Sequence, residues 1–234
     1  MGNFQAVLFD LDGVLVDSEP LYLAAINLLL SQCASRAISD EENQQFLIGT
    51  TVNETWTRIK SLRDLQQPIE YYINKYDPIV RAVLEQRMQP QPGVTTLLQA
   101  IKQRRLKAAV ASSSLRSWVN LKLINLQLID YFDALVGGDE VDQGKPAPDI
   151  YNLAAQQIGL APNQCIAIED SPTGISAAVS SGAYTIAVKT PSTKDLNISK
   201  AHMILNSLEE FDFNLLGVSQ GNHSQKKTQT DPKL

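Results

Sequence analysis

Apolar residues in this chain fall into two alternating patterns: short, almost unbroken runs and longer stretches in which they recur every three to four positions. Residues 6–9, AVLF, are nearly all apolar between polar flanks, which predicts a central strand buried on both faces. Residues 108–111, 134–136, 166–168 and 183–188 read as further strands, and 203–205 supplies another. Between the first two runs the period changes. Leu21, Ala25, Leu28 and Leu29 recur at helical spacing over residues 19–30, with Ser18 placed as an N-cap and Pro20 in the first turn. Further helices are expected at 40–47, 52–62 and 68–87, Trp56 and Ile59 marking an apolar face of the second. Gln91, Pro92 and Gly93 break the helical region. Helices then follow at 95–103, 115–126 and 149–158, and the segment 174–180 lies between two strands.

This order predicts an α/β protein with a Rossmann-like three-layer core, a mostly parallel sheet and an inserted helical cap. The core is expected from residues 1–17 and 89–218, and the cap from 18–88. Residues 219–234, SQGNHSQKKTQTDPKL, lack apolar periodicity and read as a flexible tail.

Composition narrows the function. A chain of 234 residues with 44% hydrophobic content can bury a sizeable core in one medium domain or two unequal ones. A formal charge of -5 and a pI near 5.1 argue against a nucleic-acid surface, while leaving small anionic substrates open. Cys33 and Cys165 form no metal-ligand spacing with each other or with His202 and His223, so zinc is not expected. Cys165 opens an apolar run and Cys33 ends a helix, which favours a reduced, cytoplasmic setting over a disulfide framework. The amino terminus lacks a secretory pattern and no run is long enough to cross a bilayer. A monomer is expected, because core and cap can enclose a site within one chain.

Chemistry concentrates where apolar runs end. Asp10 and Asp12 follow the first run and precede Gly13, at the carboxyl end where open α/β sheets bind ligands. Asp10 could attack phosphorus and Asp12, two residues on, could exchange a proton on the same side; a strand followed by an Asp-Gly turn is the plainer alternative. Ser112, Ser113 and Ser114 follow the second strand; the Ser112 hydroxyl could donate to a phosphoryl oxygen and backbone NH groups of the following turn, at Ser113, could add donors, or all three could simply be loop and cap residues. Lys145 in GKPAP could neutralise phosphate and Asp10, or be solvated in a proline-rich turn. Glu169 and Asp170 end another apolar run. Asp170 could complete an oxygen-rich magnesium shell and Glu169 could bind water or orient Lys145, against a reading of both as helix-capping acids.

In order, FDLDGVLVDS at 9–18, Ser112 in ASSS, Lys145 in GKPAPD, and Glu169 and Asp170 followed by SPTG resemble the four signature regions of the haloacid dehalogenase-like superfamily. The resemblance covers nearly all of residues 4–210. The helical insertion is similar to the small cap of the group holding beta-phosphoglucomutase and sugar phosphate phosphatases. By this resemblance Asp10 forms an aspartyl phosphate, Asp12 is the general acid and base, and Ser112 and Lys145 bind phosphate. It likewise implies Mg2+ held by Asp10, Asp170 and the Asp12 backbone carbonyl, with Glu169 supporting the site directly or through water. The presence of Asp12 favours phosphotransfer over dehalogenation.

The expected activity is magnesium-dependent hydrolysis of a small phosphorylated metabolite, a sugar or polyol phosphate. A sugar phosphate mutase is the runner-up, since an aspartyl phosphate can pass its group to water or to a sugar hydroxyl. Tyr22 stands where beta-phosphoglucomutase has a histidine, and Val52 where it has a phosphate-binding arginine; both departures weaken the mutase reading. A non-catalytic phosphometabolite-binding module is a third reading. Thr50, Thr51, Trp56, Lys75, Ser114 and Arg116 are the specificity candidates, with helix packing open for Trp56 and solvation open for Arg116 and Lys75.

Overall fold

The computed structural model describes residues 4–85, 88–193 and 195–217; the tail and the last residues of the helix expected to end at 87 lie outside the described residues. Among the described residues six strands form one sheet: β1 (Ala6–Phe9), β2 (Lys107–Ala111), β3 (Ala134–Val136), β4 (Cys165–Glu169), β5 (Tyr184–Val188) and β6 (Met203–Leu205). Their order is β3-β2-β1-β4-β5-β6, and every neighbouring pair is parallel. β1 is therefore central, with Ala6 in register with Lys107 on one side and Cys165 on the other.

Among the described residues eight α-helices accompany the sheet: α1 (Glu19–Gln32), α2 (Asp40–Phe46), α3 (Val52–Leu62), α4 (Ile69–Leu84), α5 (Val94–Gln103), α6 (Arg116–Asn125), α7 (Asp149–Gln157) and α8 (Pro172–Ser181). The pleat sends alternate β1 side chains to opposite faces. Val7 and Phe9 join a core with Leu97 of α5 and Leu123 of α6, while Ala6 and Leu8 join an alanine-rich core with Ala154 of α7 and Ala178 of α8. Burial on both faces explains why β1 carries no polar residue until its end. The resulting helix–sheet–helix core, with helices α1–α4 inserted between β1 and β2, is the architecture expected from the sequence.

Within the insertion α1 and α3 pack on α4, and α4 also meets α6 of the core. Trp56 is fully buried there, stacked on Tyr72 at 5.6 Å and edge-on to Tyr76 at 5.3 Å. At the seam Trp118 of α6 stacks on Tyr22 at 5.9 Å and meets Tyr76 edge-on at 5.7 Å. Thr51 starts α3 through a capping box with Glu54. Ser18 occupies the N-cap position of α1, yet its side chain accepts no helix N–H and its hydroxyl donates to Asp12 instead. Cys165 is buried, and burial pushes its thiol up to about 12. No described helix is long and apolar enough to cross a membrane.

Candidate active site

The topology fixes where chemistry can gather. Between β1 and β4 the chain switches sides of the sheet, and the carboxyl ends of the strands around such a switch open a crevice. Asp10 and Asp12 leave β1, Ser112 leaves β2, Lys145 comes from the loop after β3, and Glu169 ends β4. They converge beside a cleft between the core and the helical insertion.

Lys145 is the electrostatic centre. Its buried ammonium donates to Asp10 Oδ1 at 2.7 Å and to Glu169 Oε1 at 2.5 Å, 5.2 Å from the ring centre of Tyr151. Glu169 has no exposed surface and accepts further hydrogen bonds from the Tyr151 hydroxyl at 2.8 Å, the Asp170 amide at 3.0 Å and the Ser171 amide and hydroxyl, each at 3.2 Å. So many donors make it an anchor for Lys145. Asp170 lies beside it, accepting from Thr190 Oγ1 at 3.2 Å.

Asp10, Glu169 and Asp170 each present a carboxylate oxygen, all within 4.8 Å of one another and all buried. One lysine does not balance three carboxylates. Burial pushes the Asp10 carboxyl up to about 7, Glu169 and Asp12 adding to the rise and Lys145 opposing it. Burial, then the charges of Glu169 and Asp10, also hold the Asp170 carboxyl well above the usual range. This excess negative charge on hard oxygen donors suits a divalent cation such as magnesium.

Asp12 behaves oppositely. Burial works to raise its pKa, but the charge and hydrogen bonds of Lys122, with those of Ser18 and Ser114, hold it below the usual carboxylate range. Lys122 Nζ lies 2.5 Å from Oδ1 and 2.7 Å from Oδ2, and Ser114 Oγ donates to Oδ2 at 2.8 Å. Lys122 is the residue that sequence reasoning misses: it lies inside a helix among Trp118, Val119 and Leu123, and no motif marks it. Ser112 is buried, 3.4 Å from Asp12 Oδ2, and accepts from the Ser114 amide at 3.1 Å.

Asp10, Asp12, Ser113, Ser114, Lys145, Asp170 and Thr50 line the cleft, together with Glu19, Tyr22, Asn43 and Val52. Thr51, Trp56, Lys75 and Arg116 do not. Thr51 caps α3, Trp56 is packed among helices and Lys75 is exposed. Arg116 instead donates to the Leu135 carbonyl, to Asn120 at 3.2 Å and to Glu140 at 3.4 Å.

Two glycines allow these close approaches. A Cβ on Gly13, where φ is +88°, would lie 2.1 Å from Asp170 Oδ2, and one on Gly174 would lie 1.8 Å from Glu169 Oε1. Gly174 opens α8 against the Glu169 carboxylate, so Gly174→Ala must displace it. That overpacking is expected to cost about 1–3 kcal/mol, read by denaturant unfolding of Gly174→Ala against the parent protein.

Glu19, half-buried on the cleft wall, has its carboxyl pushed up to about 8 by burial, with the Asp12 charge adding. The folded carboxyl keeps its proton to about pH 8 whereas an unfolded glutamate loses it near 4.5, so this group's stabilisation declines as pH rises through that window. Glu19→Gln is therefore expected to melt higher than the parent protein above pH 8 and equally near pH 4, as read by thermal unfolding across pH.

The family model described as haloacid dehalogenase-like hydrolase matches residues 7–188. A phosphorylated carbohydrates phosphatase of Thermotoga maritima is 31% identical over 178 residues, covering 76% of this chain and 82% of that protein. The fructose-1-phosphate phosphatase YqaB of Escherichia coli is 30% identical over 191 residues, covering 80% of this chain and 97% of its own. CbbY from Rhodobacter sphaeroides, solved in complex with phosphate, superposes with a TM-score of 0.81 at 27% identity over 88% of this chain and 96% of that one. A variant of it in complex with xylulose-(1,5)bisphosphate superposes with a TM-score of 0.81 at 26% identity, with the same coverage. The matched span runs from β1 through β5 and includes every segment that meets at the cleft: this chain belongs to the haloacid dehalogenase-like hydrolase family.

Proposed function

We propose that the protein is a magnesium-dependent phosphatase of a small phosphorylated metabolite, a sugar or polyol phosphate, working through an aspartyl phosphate on Asp10. Membership of a hydrolase family and relatives named as phosphatases make it a phosphoric monoester hydrolase. The observation that carries the finer reading is the convergence of Asp10 with Lys145, Glu169 and Asp170 beside Asp12 in one cleft. We place the enzyme in the cytoplasm as a monomer, with residues 18–88 as its cap.

A carboxylate oxygen of Asp10 attacks phosphorus, the bond from phosphorus to the ester oxygen breaks, and Asp12 gives that oxygen a proton. Water then attacks the same phosphorus, Asp12 takes its proton, and the bond to Asp10 breaks to release phosphate. The low pKa of Asp12 favours the carboxylate that serves the second half. Lys145 orients Asp10 and offsets charge on the phosphoryl oxygens, and the hydroxyls and amides around Ser112 and Ser113 supply donors. Asp10, Asp170 and the Asp12 carbonyl would hold the metal, with Glu169 in support. When bound, magnesium offsets carboxylate–phosphate repulsion and takes up charge on the phosphoryl group.

The cleft wall also bears on phosphatase against mutase. Among the described residues that line it, Lys145 is the one cation and it is already paired with Asp10 and Glu169. Val52 contributes no charge, whereas Glu19, Asn43, Thr50 and Tyr22 offer groups that suit sugar hydroxyls. A second phosphate would have no counter-charge there.

The test is a panel of glucose, fructose and glycerol phosphates with magnesium, followed by phosphorus NMR. Free phosphate should accumulate, and chelation with EDTA should reduce turnover at least about 10²-fold, reversed by added magnesium. Isomer interconversion with little phosphate release would move the assignment to the mutase. Saturable binding without turnover would make the protein a binding module.

A further inference from the structure

We propose that Lys122 is a positioning residue for this phosphoryl transfer: its buried ammonium fixes the direction in which Asp12 faces the cleft and ties Asp12 to the first helix of the insertion. The proposal rests on the phosphatase reading and extends it to a residue outside the four motifs.

The geometry is specific. Lys122 has no exposed surface, and its side chain leaves the apolar face of α6 to reach three separate segments. It grasps both Asp12 oxygens, at 2.5 and 2.7 Å, from the loop after β1. It donates to the Tyr22 hydroxyl on α1 at 2.7 Å and lies 3.2 Å from Ser114 Oγ in the loop after β2. Tyr22 in turn stacks on Trp118, four residues before Lys122 on the same helix. Ser18, at the start of α1, donates to the same Asp12 oxygen that takes the shorter Lys122 bond.

A lone ammonium in such a place is strongly disfavoured, and a hydrocarbon side chain would fill the space beside Val119 and Leu123 without that cost. The chain instead holds a lysine at a point from which it reaches both oxygens of the proton-exchanging carboxylate. With each oxygen held, Asp12 has one orientation. Ser18, the N-cap of α1, holds Asp12 directly and Tyr22 of α1 is tied to it through Lys122, so a shift of that helix moves Asp12 with it.

The test compares Lys122→Met, Asp12→Asn and the double variant on two esters with magnesium: the sugar phosphate most rapidly hydrolysed in the panel, and p-nitrophenyl phosphate. A sugar alkoxide needs a proton as it leaves and nitrophenolate does not, so kcat/KM for the two esters separates loss of proton delivery from general damage. Lys122→Met should lower kcat/KM about 10²-fold on the sugar phosphate, through kcat with KM nearly unchanged, and less than about 3-fold on the nitrophenyl ester. Asp12→Asn should show the same asymmetry, and adding Lys122→Met to it should change either value by less than about 3-fold. Equal losses on both esters, or a further large loss in the double variant, would overturn the proposal. Should Lys122→Met fail to fold, Lys122→Gln, whose amide can still donate to one Asp12 oxygen, takes its place on the same two esters, and equal losses there overturn the proposal. Inactivity of the parent protein on both esters would instead overturn the phosphatase reading, and this assignment with it.

Discussion

Asp10→Asn is expected to lower phosphate release by about 10⁴-fold or more while leaving the protein folded, because it removes the atom that would bond to phosphorus and little else. Asparagine has nearly the same shape, and Lys145 keeps Glu169 as a partner at 2.5 Å. Burial already raises the Asp10 carboxyl to about 7, so replacing it relieves a desolvated charge near neutral pH. Thermal unfolding without metal should therefore shift little. The informative measurement is acid-quenched labelling with radioactive substrate: the parent protein should trap phosphate on the chain and the variant none. Magnesium-dependent turnover by a correctly folded Asp10→Asn protein would refute the nucleophile assignment.

Lys145→Met is expected to damage both stability and rate. Lys145 is only 5% exposed and its ammonium is bonded to two carboxylates, with a third close by. Removing one partner of a buried ionic cluster leaves charge uncompensated and costs about 3–5 kcal/mol. Denaturant unfolding should show that loss at neutral pH without divalent metal and a partial recovery with excess magnesium. Loss of the fixed positive charge should cut kcat by about 10²–10³-fold even where magnesium restores the fold. A variant as stable as the parent in EDTA would mean that Lys145 is not the charge holding this cluster together.

The core was legible because its signals are local. β1 is announced by four apolar residues ending at an aspartate, and strand–helix alternation after residue 93 carries the parallel sheet with it. Asp10, Lys145, Glu169 and Asp170 were legible through order and motif, and the fold brings them together. The insertion was less readable. Thr51 and Glu54 have the spacing of a capping box, which accounts for Thr51 better than contact with substrate. Trp56 meets Tyr72 and Tyr76 only once α3 and α4 are packed. Lys122 could not be read at all. Its position on α6 is that of a core residue, and its meaning depends on Asp12 and Tyr22, about 100 residues earlier in the chain.

The pairing of β1 has a consequence for how this protein comes into being. β1 is made first, yet its partners are β2 and β4, and Ala6 must wait for Lys107 and then Cys165. Contacts so distant in sequence close slowly, and the chain emerges from the ribosome at about 5–20 residues per second. Throughout that interval Asp10 and Asp12 belong to an unpaired apolar segment that other chains could capture. Asp10 and Asp12 are thus translated well before the strands that enclose them, so a nascent chain stopped before β4 has neither a complete sheet nor the carboxylate cluster of the proposed site.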